Sequence, residues 1–135
     1  MARDDVELVE RAFALLDSDR YEEVLPLIDE RFEMVTTSEV ASEPDTYRGP
    51  DGVRRWFESF LEAMDSVRVV ADRIHPVGSG QVIIEYVIRA RGQRSGIEAE
   101  QPAVALATLG DGKLQRLEFF TTLHRARAAV RPGPS

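Results

Sequence analysis

Three glycine-bearing breaks in the second half of the chain constrain its fold more than any other feature. Gly78-Ser79-Gly80, Gly92–Gly96 and Gly110-Asp111-Gly112 separate four runs rich in β-branched residues, Val67–Val77, Gln81–Arg91, Ile97–Leu109 and Lys113–Thr122. Branched side chains suit a pleated surface, and glycine supplies the left-handed backbone of tight turns. Four such runs joined by three short turns predict an antiparallel meander.

The first half has a different period. From Asp4 to Asp17, Val6, Val9, Phe13 and Leu16 recur at helical spacing behind Asp4 and Asp5, which are placed as caps. Asp17-Ser18-Asp19 breaks that helix. A short second helix follows, with Tyr21, Val24, Leu25 and Ile28 on one side and Pro26 interrupting or restarting it. Phe32, Met34 and Thr36 alternate with Glu33 and Val35 as in a short strand, and Ser38–Tyr47, without a period, reads as a loop over one end. Gly49-Pro50-Asp51 opens a third helix, in which Val53, Trp56, Phe57, Phe60, Leu61 and Met64 form one apolar stripe ending near Asp65.

Helices followed by strands predict an α+β architecture, with helices packed on one face of a sheet. The second run, however, is apolar at both parities: Val82, Ile84, Tyr86 and Ile88 on one face, Ile83 and Val87 on the other. A sheet covered on one face alone should alternate more cleanly, so the second face predicts a homodimer through it. At 135 residues the chain reads as a single domain over 1–135, with its core at about 4–125 and a loose tail at 126–135 around Arg131-Pro132-Gly133-Pro134.

Composition narrows the function classes. The absence of cysteine excludes disulfides, zinc thiolates and cysteine nucleophiles. A net charge of −7, with the cations scattered among acids and Lys113 the only lysine, argues against a nucleic-acid partner. No run of 18 apolar residues and no charged-then-apolar leader is present, so no membrane partner and a cytoplasmic location are expected. His75 before Pro76 and His124 after the last run are expected to be exposed, and no histidine pair stands at ligand spacing with an acid. Neither a metal nor a cofactor is expected. Gly78-Ser79-Gly80 reads as a hairpin turn rather than a phosphate loop, since no helix follows it.

The phrases VELVERAFALLDSDRYEEVLPLIDERFEM, YRGPDGVRRWFESFLEAM and LGDGKLQRLEFFTTLHRARAA resemble SnoaL-like proteins of the nuclear transport factor 2 superfamily, over about residues 4–129. Tyr47-Arg48-Gly49 leading into the Trp56 helix, and Asp111-Gly112-Lys113-Leu114 before the final run, carry the resemblance most specifically. It implies a cone-shaped, barrel-like curved antiparallel sheet packed on three N-terminal helices, with an apolar pocket open at one end. Members of that superfamily include isomerases, dehydratases, epoxide hydrolases, polyketide cyclases and non-catalytic binders, so the fold alone leaves the activity open.

The resemblance also implies where catalytic groups would stand. The tyrosine, base and acid of steroid isomerases fall on Phe13, Thr36 and Val104, and the cyclase histidine and aspartate fall around Ala105 and on Thr121-Thr122. None of these can take up or release a proton in the required way. What remains is a pocket for a small apolar molecule, expected to involve Phe13, Met34, Thr36, Tyr47, Trp56, Phe60, Tyr86, Val104, Leu117, Phe119 and Thr121. Glu85, Arg89, Arg116 and Glu118 fall on the opposite parity and read as cross-strand or interface charges. A proton-transfer enzyme acting on a cyclic or polyketide-like substrate, with Tyr47, Thr36, Tyr86 and Thr121 as its polar set, and a dimerising accessory module with a filled pocket are the alternatives.

Overall fold

In a computed structural model of the chain, which describes residues 2–16, 19–35, 46–61, 64–78, 80–92 and 98–130, the two sequence periods separate as expected. The helical half forms α1 (Ala2–Leu15), a 3-10 helix (Tyr21–Leu27) and α2 (Gly49–Leu61), with two short strands between them, β1 (Ile28–Val35) and β2 (Thr46–Arg48). The other half forms β3 (Met64–Gly78), β4 (Gln81–Gly92), β5 (Glu98–Gly110) and β6 (Lys113–Phe120), followed by a six-residue helix, α3 (Leu123–Ala128). Thr36 and the loop at 36–45 lie outside the described residues.

Local chemistry accounts for these boundaries. Asp4 and Asp5 stand in the first turn of α1, where carboxylates offset the helix dipole. Pro26 sits inside the 3-10 helix and leaves no N–H to continue it, so the chain passes directly into β1. The turn between β5 and β6 has Asp111 at φ 54° and Gly112 at φ 72°. Two successive left-handed residues make the hairpin turn that Asp-Gly favours, and its twist matches the strands.

The sheet order is β2-β1-β6-β5-β4-β3, antiparallel except for β1 beside β6. That linear order leaves the sheet unclosed. In β3 the register skips between Ala71 and Arg73, leaving Asp72 as a bulge, and an extra residue on one strand bends it and increases its twist. The concave face packs on α1 and α2 through Val82, Ile84 and Tyr86 of β4, Ala103, Ala105 and Ala107 of β5, and Leu117 and Phe119 of β6. No helix among the described residues is long and apolar enough to cross a membrane.

The opposite, convex face departs from the sequence reading. Ile83, Val104 and Leu106 form a second apolar cluster there, and the residue that closes it is Ala126, fully buried on α3. The segment expected to be a loose tail from 126 therefore begins inside a packed helix. Leu123, Ala126, Ala129 and Val130 recur on one side of that segment and all belong to this cluster. The Thr122 hydroxyl accepts from the Arg125 N–H at 3.2 Å and caps α3 at its start. The second apolar face thus has a cover within its own chain.

Candidate functional site

The concave interior is organised by a continuous series of aromatic rings. From α1, Phe13 meets Tyr86 edge-on at 5.7 Å between ring centroids. Tyr86 meets Phe119 edge-on at 6.2 Å, and Phe119 lies within 14° of parallel to Trp56 at 6.4 Å. Trp56 then meets Phe57 edge-on at 4.9 Å, and Phe57 stacks on Tyr21 at 4.8 Å. Trp56 and Phe57 are consecutive on α2; Phe57 is fully buried while Trp56 is half-buried.

The sheet supplies the other wall in cross-strand rows. Tyr47 of β2 pairs with Met34 of β1, which pairs with Leu117 of β6, which pairs with Ala107 of β5. One step along, Phe119 pairs with Ala105, and Ala105 with Ile84. A further step brings Ala103 opposite Tyr86, and Tyr86 opposite Ala71. Alanines at 103, 105 and 107 therefore run down the concave side of β5. Their small side chains let Tyr86 and Phe119 lean over that strand and reach each other.

Of the residues expected at a pocket, the structure gathers Phe13, Met34, Tyr86, Leu117 and Phe119 in one buried cluster, with Tyr47 and Trp56 half-buried against it. Phe60 stands on α2, with its side chain outside those described. Thr36 also lies outside the described residues. Two expectations fail on parity and position. Val104 points to the convex face and packs in the cluster under α3, because the concave positions of β5 are its neighbours Ala103 and Ala105. Thr121 lies beyond the end of β6 and is exposed.

The charges fall as their parity predicted. Glu33 of β1 bonds Arg48 at 3.3 Å and lies 3.8 Å from Arg116, which holds Glu118 at 3.0 Å. Arg89 pairs across strands with Glu100 at 3.0 Å. His75 was expected to be exposed; it is half-buried on β3, and its Nε2 lies 2.8 Å from the Glu85 carboxylate. Glu33, Glu85 and Glu118 alternate with Met34, Tyr86 and Phe119 and so turn to the convex side.

That leaves Tyr86 as the polar group at the centre of the aromatic series. It is 5% exposed, and its hydroxyl has no hydrogen-bond partner among the described residues. Burial pushes its pKa well above that of an ordinary phenol, so the group stays a neutral O–H and acts as a donor, never as a base near neutral pH. A buried hydroxyl without a partner costs about 1–3 kcal/mol, which sets Tyr86 apart among the described residues from Gln81, a buried polar side chain that is partnered. Its sequence signal was its parity with Ile84 and Ile88. The alanine stripe across from it was legible too, as Ala-x-Ala-x-Ala, but only with the right register on β5.

Residues 9–117 match the family model for the SnoaL-like domain. No curated protein matches the chain. Among solved structures, a candidate SnoaL-like polyketide cyclase from Jannaschia sp. CCS1 superposes with a TM-score of 0.71 at 20% identity, covering 98% of this chain and 94% of that one. TerC, co-crystallised with polyporic acid, gives 0.71 at 17% identity over 93% and 99%. Bal32a, from a soil-derived mobile gene cassette, gives 0.75 at 17% identity over 93% and 94%. At these identities the likeness is one of fold.

Proposed function

The chain belongs to the SnoaL-like domain family, and from that premise we propose that it binds a small, flat, apolar molecule in its concave interior through one hydrogen bond donated by Tyr86. The observation that carries this reading is the buried Tyr86 hydroxyl, unpartnered among the described residues and set between Phe13 and Phe119. A donor in that position is satisfied by a carbonyl or ether oxygen on a ligand. The aromatic series gives such a ligand ring faces and edges to lie against, which favours a planar skeleton over a flexible chain. Met34, Leu117, Tyr47 and Trp56 complete the proposed contact surface, with Thr36 and Phe60 as further members from the sequence pattern.

The position of the carboxylates supports binding over proton transfer. Glu33, Glu85 and Glu118 are engaged with Arg48, His75 and Arg116 on the convex side, so none of the three stands beside Tyr86 to move a proton. TerC, a relative in fold at 17% identity, was crystallised with polyporic acid, and that supports a flat oxygenated class of ligand here. The homodimer stays in the proposal on family likeness alone, since α3 supplies within the chain the cover that the second apolar face was expected to take from a partner.

The test is a thermal-shift panel of flat ketones, quinones and steroids on the wild-type protein and on Tyr86→Phe and Trp56→Ala. A ligand at a hundred times its dissociation constant raises stability by about 2.7 kcal/mol. A hit that weakens in both variants supports the reading. A hit indifferent to Tyr86→Phe removes the hydroxyl from the site, and silence across the panel removes the pocket.

A further inference from the structure

The concave face opens at one end, and the exposure of three adjacent strands shows which end it is. On β5, Ala107 and Ala105 are fully buried, Ala103 is 8% exposed and Gln101 is exposed. On β4, Val82 and Ile84 are fully buried, Tyr86 is 5% exposed, and Ile88 and Ala90 are half-buried. β6 repeats the trend, with Leu114, Leu117 and Phe119 at 1%, 3% and 7%. The register brings the three trends to the same end, since Phe119 faces Ala105, Tyr86 faces Ala103 and Ile88 faces Gln101. Tyr86 therefore stands in the last buried row, and Ile88–Gln101 is the first row at the mouth.

Those two rows also hold the polar side chains of this part of the face. Side chains alternate along a strand, so the concave positions are every second one from Val82 to Ala90 on β4 and from Gln101 to Leu109 on β5. All of them are valine, isoleucine, leucine or alanine except Tyr86 and Gln101. β4 and β5 pair through this stretch without a register shift, so Gln101 keeps the parity of Ala103. Its neighbour Glu100 turns to the convex side and pairs with Arg89, while Gln101 has no hydrogen-bond partner among the described residues. Tyr86 and Gln101 are diagonal neighbours across the two strands, a separation of about 7–8 Å that long side chains span. Tyr86 reaches Phe119 on β6, so its ring leans over β5, the strand that carries Gln101.

We propose that Gln101 is a specificity-determining residue at the mouth of this interior and, with the Tyr86 donor on which this rests, that the ligand is a flat ring system with an oxygen function at each end. A carbonyl at one end accepts from Tyr86 at depth, and a hydroxyl at the other meets the Gln101 amide. Tyr86, held as a neutral O–H, serves an acceptor. An amide carries a donor and an acceptor together, so Gln101 can take a hydroxyl in either sense. It is also neutral, and the cations nearest to it in register, Arg89 and Arg91, are paired with Glu100 and Glu98 on the convex side. The outer end of the ligand is therefore an uncharged oxygen rather than a carboxylate. Because Gln101 is exposed, its amide is hydrated in the empty protein and exchanges water for the ligand, so it discriminates between ligands at no expense to the fold.

The experiment is a calorimetric titration of the full chain with 2-acetylnaphthalene and with 6-hydroxy-2-acetylnaphthalene, which adds a hydroxyl at the end away from the ketone. The wild type should bind the hydroxylated ketone about fivefold more tightly, the worth of one net hydrogen bond. Gln101→Ala, at an exposed position, should abolish that preference and leave the plain ketone and the melting temperature unchanged, whereas Tyr86→Phe should weaken both ketones. No preference for the hydroxylated ketone in the wild type, or a preference that survives Gln101→Ala, would overturn the role of Gln101 while leaving the Tyr86 donor in place if Tyr86→Phe still weakens both. Binding of neither ketone, or binding of both indifferent to Tyr86→Phe, would remove the Tyr86 donor and the role of Gln101 with it.

Discussion

Replacing Tyr86 by phenylalanine should make the empty protein more stable while weakening ligand capture. Tyr86 is 5% exposed and its ring contacts, to Phe13 and Phe119, survive the change. Only the hydroxyl is lost, and among the described residues it has no partner to leave behind. In the unfolded chain that hydroxyl is hydrated, so folding the wild type costs its desolvation, about 1–3 kcal/mol, with no bond in return. Taking the lower end, Tyr86→Phe gains about 1 kcal/mol. For 135 residues the unfolding entropy is about 0.28 kcal/mol/K, so the melting temperature should rise by about 3–4 °C. Urea unfolding of both proteins, followed by far-UV circular dichroism, measures the difference directly, since an unchanged slope with a higher midpoint means stability alone has changed. A loss of 1 kcal/mol or more would mean that the hydroxyl is bonded within the protein, and the argument for a ligand donor would end there. A gain in stability alongside a loss of binding is the signature of a group kept for function.

Three other outcomes follow from the same structure. Burial raises the Tyr86 pKa while an unfolded tyrosine titrates near about 10, so the folded state keeps a proton that the unfolded chain gives up. That contribution is intact below about pH 10 and is lost as pH rises beyond it, by up to about 1.4 kcal/mol per unit, and urea midpoints at about pH 9 and 11 should show a slope that Tyr86→Phe lacks. Ala126→Arg forces a charge into the fully buried contact of α3 with Ile83 and Leu106 and should cost about 2 kcal/mol or more, where a loose tail would give a change within about 0.5 kcal/mol. Gly112→Ala, at φ 72° with open space around its Cα, should cost about 1 kcal/mol through backbone strain alone, read from the same urea curves.

The meander was legible because its signals are local. Three glycine-bearing turns and four branched runs specify β3 to β6 to within a few residues, and the Trp56 stripe specifies α2. The pairing of β1 with β6 was not legible, since Met34 and Leu117 meet in parallel across more than half the chain and no turn joins them. Tyr47 looked like a loop residue because β2 is three residues long and has no room to show a period. On β5 the difficulty was different. Ala103 to Ala107 is apolar at every position, so nothing in that run says which parity faces inward. The family resemblance placed the isomerase acid, and with it the pocket, on Val104, whereas the inward positions are its neighbours Ala103 and Ala105. α3 was not legible either, since Ala126 offers little hydrophobicity of its own and is buried because it fits closely over Ile83 and Leu106.

The alanine stripe has a consequence for what this interior can become. Ala103 lies directly across from Tyr86, and cross-strand Cβ atoms stand about 5 Å apart. A carboxyl introduced there would be desolvated among Phe13, Phe119 and the Tyr86 ring, and its pKa would rise toward the range in which it can both give and take a proton. A few small side chains on one face of β5, rather than the architecture, thus decide whether a carboxyl stands beside Tyr86. Among the described residues, Glu33, Glu85 and Glu118 are paired on the convex side, and Tyr86 stands in the interior as a buried neutral donor. On the proposed reading, that donor orients a bound ligand, and a carboxyl at position 103 is the change that would add proton transfer to it.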